Sequence, residues 1–287
     1  MSLNTSKYLS FLVCPNDGNN LEFSNDEIKC TSCLTKFPII EENIIELVSS
    51  KSFDITTSDT ESSYSKYYSD LRNLGHPEQE KMRLWGLESK SGFVQSMIKK
   101  IKEFTENKIV CDVGAGVGNY SISIAKHAEF VFHCDLDMES IAAAKKRAKE
   151  KQIDNILFVR SDYLSLPFKI NIIPCVTCID VLERGREHDN LLLEELSKIT
   201  QHNGILITDY HSKERTKMNR ASDWNRRYSK LEISEILSKH NQKNLKFFAM
   251  GHSPKAGTTT PSKYSITEPI SSLFFPPARW LVASQNS

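Results

Sequence analysis

The sequence predicts an α/β protein built on a doubly wound, mostly parallel sheet, with a small β-rich unit in front of it. Three observations lead there. From position 109 onward, short apolar strands alternate with helices of about ten residues, the pattern of βαβ units. A turn with three glycines, Gly114, Gly116 and Gly118, follows the first of those strands. Ahead of them, the first 48 residues are short apolar pieces broken by Asn, Asp, Gly and Pro, and they carry three cysteines.

Composition sets the class. The 287-residue chain is 39% apolar and 25% charged, enough for a sizeable core, and its length suits one large domain with an appendage. A net charge of +1 gives no global pull toward nucleic acid or a membrane surface. No apolar run is long enough to span a bilayer, and the N-terminus lacks a secretory pattern. Seven cysteines, an odd number, fit a reducing compartment better than a disulfide framework, so a cytoplasmic protein is expected.

The elements follow in order. Tyr8–Val13, Leu21–Phe23, Phe37–Ile40 and Ile44–Val48 form the small unit, residues 1–48. Residues 49–107 read as a linker, poor in large apolar residues up to position 63, and then a helical lid, with Tyr64, Tyr67 and Tyr68 on one face. The main domain, 108–287, opens with strand Ile109–Val113 and helix Tyr120–His127. Strand Glu129–Cys134, helix Ser140–Lys151 and strand Ile156–Val159 come next. Ile172–Ile179 is a buried strand and Asp189–Ile199 a Leu-rich helix. Gly204 precedes strand Ile205–Thr208, helix Ser229–His240 precedes strand Leu245–Met250, and Arg279–Ala283 is the last strand. Gly251–Pro277 is long for a structureless loop and is expected to border the acceptor pocket.

Glycines between a strand end and a helix start let the backbone approach a ligand and adopt positive φ. Such a turn also serves dinucleotides, but here the third position of that fingerprint is Asn119, with the third glycine one place earlier. The strand ends in Asp112, which would repel a pyrophosphate and suits a ligand bearing an amino group. Asp112, Asp135, Asp162 and Asp180 each stand at the carboxyl end of a successive strand, the edge where open α/β sheets bind ligands.

On these residues the chain resembles the class I S-adenosylmethionine (SAM)-dependent methyltransferases over roughly residues 108–285. The resemblance implies a Rossmann-like sheet whose last strand runs antiparallel. It also implies a glycine turn, Asp112 and Gly114 to Gly118, lying against the cofactor. Asp135, followed by Leu136, matches the acid that accepts the ribose hydroxyls. Asp162, beside Tyr163, matches the adenine-contacting acid, and Asp180 lines the reactive-methyl pocket. The histidine usual after the following glutamate is Arg184 here, and one glycine is missing from the turn at Asn203-Gly204.

Cys14-Pro-Asn-Asp17 and Cys30-Thr-Ser-Cys33 resemble the paired knuckles of the zinc-ribbon modules attached to some bacterial methyltransferases, with Asp17 in place of a fourth cysteine. Three thiolates and a carboxylate make an acceptable structural zinc set, and a metal-free knuckle is the alternative. Cys175 and Cys178 lie three apart on a strand, so they face opposite sides and form no such pair.

Methyl transfer from a sulfonium asks the protein to align an acceptor and, for some acceptors, to remove a proton. Asp209, Tyr210 and His211 are the candidate bases, with His188 and His133 weaker ones. The expected acceptor is a small or glycan-like molecule methylated on O or N, acidic or phosphorylated if the basic stretch His211–Lys230 grips it. The alternatives are ribosomal RNA, as in guanine N1-methyltransferases with a similar layout, a catalytically silent SAM-binding subunit, and an NAD-dependent oxidoreductase, disfavoured by Asp112 and Asn119.

Overall fold

The computed structural model describes residues 7–23, 27–40, 44–50, 91–182, 189–215, 227–252 and 261–287. Its elements are β1 Leu21–Phe23, β2 Glu27–Cys30, β3 Lys36–Ile40, β4 Ile44–Glu46, α1 Gly92–Thr105, β5 Ile109–Val113, α2 Ser121–Ala125, β6 Phe130–Asp135, α3 Met138–Glu150 and β7 Ile156–Arg160. After these come β8 Ile173–Cys178, α4 Asp189–Ile199, β9 Thr200–Ser212, β10 Arg227–Tyr228, α5 Lys230–Lys239, β11 Gln242–Met250, α6 Pro261–Ser271 and β12 Arg279–Asn286. The sheet runs β1-β2-β3-β4-β7-β6-β5-β8-β9-β12-β11, with β10 beside β9. From β4 to β9 all neighbours are parallel, whereas β12 is antiparallel to both β9 and β11. The sheet is therefore doubly wound and mostly parallel, with an antiparallel last strand.

Continuous apolar strands such as β6 and β8 are buried because both sheet faces are covered. One face carries Leu157, Val176, Leu206, Tyr210 and Val282, the other Val110, Val131, Ile207 and Leu281. Cys178 lies in the first cluster and Cys175 in the second, as strand alternation requires. Helix α3 starts where Asp137 caps the Ser140 N–H, and packs Ala143, Ala144 and Ala148 inward. Helix α5 opens with a capping box between Ser229 and Glu232.

The N-terminal unit is continuous with the main sheet. Strand β4 pairs in parallel with β7, so the cysteine-bearing hairpins extend the sheet at that edge. Tyr8 stacks on Phe130 with ring centroids 3.6 Å apart, and its hydroxyl donates to Glu129. Val13 N–H donates to the Pro167 carbonyl and the Ser165 hydroxyl to the Pro15 carbonyl. Arg160 pairs with Glu46 at 2.9 Å and donates to the Leu136 carbonyl at 3.0 Å, tying this unit to the turn after β6.

Three sequence expectations change. Tyr8 lies in a helical turn rather than on a strand of the β unit, with its ring buried against Phe130. The stretch after Gly251, too long for a structureless loop, holds α6 at Pro261–Ser271, whose Tyr264 is buried. Strand β9 spans 13 residues instead of stopping at Thr208, because β12 pairs with it as far as His211. Asp209, Tyr210 and His211 therefore lie within a strand and alternate faces. Tyr64, Tyr67, Tyr68, Glu183, Arg184 and His188 lie outside the described residues, as do most of the linker and positions 216–226 of the basic stretch.

Candidate functional site

Gly114, Gly116 and Gly118 all take positive φ, 68°, 53° and 76°, which a side chain disfavours. The reasons for glycine differ along the turn. A Cβ on Gly114 would sit 2.4 Å from Val181 Cγ2, and one on Gly118 would sit 2.8 Å from Ile122 Cδ1. At Gly116 nothing lies within 4 Å, so the glycine leaves an open cradle. Arg147, buried on α3, holds the turn from behind through the Val117 carbonyl at 2.5 Å and Asn119 Oδ1 at 2.9 Å. Asn119, where a dinucleotide turn carries glycine, thus anchors a guanidinium.

The four acids are all at the carboxyl ends of neighbouring strands or just beyond. Asp135 accepts from Gly116 N–H at 2.7 Å through Oδ2 and from Asp137 N–H at 2.9 Å through Oδ1. A carboxylate offers about four lone-pair sites, so this anchoring is compatible with further hydroxyl donors. Asp162 accepts from Leu164 N–H through Oδ1, while its buried Oδ2 has no partner among the described residues. Tyr163, half-buried beside it, packs on the core, and burial pushes its hydroxyl up to about 12. Asp112 is buried and accepts from the Thr177 hydroxyl at 2.7 Å; its Oδ2 has no partner among the described residues. Burial pushes Asp112 up to about 7 against the pull of Thr177 and the Ser121 N–H. Two orphaned carboxylate oxygens beside an open glycine cradle fit a ligand that brings amino donors and hydroxyls, the donor set of SAM.

Asp180 follows β8 in the left-handed region, φ 66°, and its N–H donates to Asp209 Oδ1 at 2.8 Å. Arg279, at the start of β12, closes the arrangement, with one guanidinium nitrogen on Asp180 and the other on Asp209. Burial opposes the guanidinium charge, but the two carboxylates outweigh it and keep Arg279 charged. Side-chain exposure falls from 36% at Asp180 to 13% at Arg279 and 2% at Asp209, so Asp180 is the open member. His211 lies on the same strand face as Asp209, opposite Arg279 in register. Burial, then Arg279, pulls its imidazole down to about 3, so it is neutral at physiological pH.

Tyr210 does not join these groups. It points into the other core face, buried at 1% exposure edge-on to Tyr228, and burial raises its hydroxyl far above the usual range. His133 is buried in the sheet with Nδ1 on the Ser121 hydroxyl at 2.8 Å, which removes it as an acceptor-facing base. The described cations of the basic stretch are engaged: Lys213 with Glu232, Arg215 with the Gly251 carbonyl, Arg227 with the Ser212 carbonyl, and Lys230 over the Trp280 ring. Sequence reading missed Arg279, whose only signal was its place at the head of the last strand, and Arg147, one of several basic residues of helix Ser140–Lys151.

Cys14, Asp17, Cys30 and Cys33 come together, with candidate ligand atoms all within 4.8 Å of one another. Cys14 Sγ and Cys33 Sγ are 3.7 Å apart, and Cys30 Sγ is 3.4 Å from Asp17 Oδ1. Gly18, at φ 73°, turns the first knuckle, while Ser32 N–H points at Cys30 Sγ in the second. The donor set and compactness fit a tetrahedral zinc site.

The fold and the glycine turn define a class I SAM-dependent methyltransferase. The chain belongs to the methyltransferase domain family, whose model matches residues 104–251, just over half of its length. A SAM-dependent methyltransferase from Aquifex aeolicus shares the fold at TM-score 0.50 and 17% identity, over 76% of this chain and 98% of that one. Magnesium protoporphyrin IX methyltransferase from Synechocystis PCC 6803, solved with bound S-adenosylhomocysteine (SAH), aligns at TM-score 0.50 and 18% identity, over 73% of this chain and 86% of that one. Among curated proteins, a 23S rRNA (uracil(1939)-C(5))-methyltransferase of Vesicomyosocius okutanii is 33% identical over 67 residues, 23% of this chain and 15% of that protein. The chain spans less than half the length of the curated relatives it matches. No helix among the described residues is long and apolar enough to cross a membrane.

Proposed function

We propose that the protein transfers the methyl group of SAM to an oxygen or nitrogen of a small, uncharged or amine-bearing acceptor. SAM supplies an activated methyl on a sulfonium. In this reading Asp112 receives the amino group of its methionine part, and Gly114, Gly116 and Gly118 cradle it. Asp135 and Leu136 flank the ribose, Asp162 and Tyr163 the adenine, and Asp180 stands beside the methyl. The protein aligns acceptor and methyl and excludes water, which carries most of the rate enhancement in such a displacement.

The observation that carries the acceptor class is the Asp180–Arg279–Asp209 arrangement, with two carboxylates against one guanidinium. With neutral His211 beside it and Arg227 opposite His211 on β10, the charges nearly balance, so this edge suits an acceptor held by hydrogen bonds rather than a phosphate drawn by a cationic surplus. In this assignment Asp209 anchors Arg279, His211 hydrogen-bonds the acceptor as a neutral imidazole, and Tyr210 supports the strand from the core side. Methyl transfer from radiolabelled SAM to fractionated small molecules, run beside ribosomal RNA, tests the acceptor class. Label appearing only in RNA would refute it. His211→Ala is expected to slow turnover and leave SAH affinity unchanged.

RNA is the second reading. It is supported by the short match to an rRNA methyltransferase. Failure to transfer to either acceptor, with SAH still bound, would favour the silent subunit. A structural zinc on Cys14, Asp17, Cys30 and Cys33, in a unit spanning residues 1–48 ahead of the methyltransferase domain at 108–287, completes the proposal.

A further inference from the structure

We infer that Arg279, on the antiparallel strand outside the cofactor-bearing half of the sheet, is a positioning residue for the SAM glycine turn. This rests on the SAM reading above. Three polar contacts close a ring across β8, β9 and β12. Asp180 N–H donates to Asp209 Oδ1, Asp209 Oδ2 takes one Arg279 nitrogen, and the other Arg279 nitrogen meets Asp180 Oδ1. The ring fixes the backbone of Asp180 as well as its side chain.

That backbone needs fixing. Asp180 sits at φ 66°, a left-handed conformation that costs a non-glycine residue energy and persists only when its surroundings over-determine it. The next residue delivers the consequence. Val181 packs so closely over Gly114 that a Cβ there would lie 2.4 Å from Val181 Cγ2. Gly114 in turn hangs on the Cys134 carbonyl, at the end of the strand that bears Asp135. The path from Arg279 to the turn is therefore short and made of contacts. Without the guanidinium, Asp180 and Asp209 lose the group that bridges them, the left-handed turn relaxes, and Val181 leaves Gly114. Glycine has no side chain to fill the gap.

The test is calorimetric titration of the full-length protein with SAH, with circular dichroism and thermal melting as fold controls. Arg279→Gln is expected to weaken SAH on the order of tenfold. Arg279→Lys, which keeps a charge but not the two-pronged reach, is expected to fall between it and the wild type. A cycle with Val181→Ala separates positioning from general destabilisation: the double variant Arg279→Gln/Val181→Ala should lose no more affinity than the weaker-binding single variant. If Arg279→Gln does not fold, Asp209→Asn, which keeps an acceptor for the Asp180 N–H, takes its place in the cycle. Wild-type SAH affinity in a folded Arg279 or Asp209 variant, or fully additive losses in the cycle, would overturn the inference and leave the SAM reading standing. A wild-type protein that does not bind SAH would overturn that reading, and this inference with it.

Discussion

Gly116 donates its backbone N–H to Asp135 Oδ2 at 2.7 Å, so the middle of the glycine turn and the acid at the end of the neighbouring strand are one hydrogen-bonded unit. The turn fixes where the carboxylate points, and the carboxylate fixes how the turn closes. Asp135 therefore has two losses to report when removed: its own contacts to a ribose diol and the anchoring of the turn.

Asp135→Ala is expected to weaken SAH on the order of 100-fold, since hydrogen bonds to a charged acceptor contribute roughly 1.5–3 kcal/mol each. Titration calorimetry on the folded variant measures it. Unchanged affinity would mean that the ribose lies elsewhere.

The turn glycines should separate stability from binding. Gly114→Ala meets Val181 and is expected to lower the melting temperature and SAH affinity together. Gly116→Ala meets no atom within 4 Å, so it should cost about 1 kcal/mol of backbone strain while sharply reducing SAH affinity. Melting curves and titrations on both variants decide this. Equal binding losses with equal stability losses would deny the cradle.

The parallel sheet and the acids were legible because parallel strands buried on both faces read as unbroken apolar runs, and ligand-side acids stand at their ends. Helix Asp189–Ile199 has the limits read from its leucines. The sequence hid what long-range pairing decides. The extension of β9 past Thr208 depends on β12, some 70 residues away, and it turns Tyr210 from a candidate base into a core residue. Arg279 was invisible for the same reason, since its partners are set by register and not by spacing. The cysteine knuckles were readable as a cluster, but the parallel pairing of β4 with β7, which makes their unit part of the sheet, was not.

Acid should destabilise the fold through its buried histidines. The folded-state values of His133 and His211, both about 3, lie below the ordinary 6.5, so the unfolded chain binds more protons between those values. Their contribution is complete above pH 6.5 and is lost as pH falls toward 3. Asp112, raised to about 7 from 3.8, acts in the opposite sense, its contribution being lost as pH rises through that window. Denaturant titrations of the wild type and His211→Gln isolate one of these histidines: the variant should lose less stability on going from pH 7 to pH 4. An identical pH slope would contradict the burial of His211.

Purified protein is expected to hold one equivalent of zinc, removable by a strong chelator with a fall in melting temperature. Cys33→Ser should lower zinc content, and metal analysis by plasma spectrometry reads it. Because Tyr8, Val13 and Pro15 bind the main sheet directly, the methyltransferase fold should persist without the metal. Zinc content at the level of a cysteine-free control would refute the site.

The most direct measurement is calorimetric titration of the full-length protein with SAH, with NAD run in parallel. Saturable one-to-one binding of SAH and none of NAD is the predicted result, because Asp112 and the orphaned oxygen of Asp162 call for donors that the first ligand has and because a carboxylate at the turn repels a pyrophosphate. Binding of NAD alone, or of neither ligand to a folded protein, would contradict the assignment of the glycine turn and its acids as a SAM site.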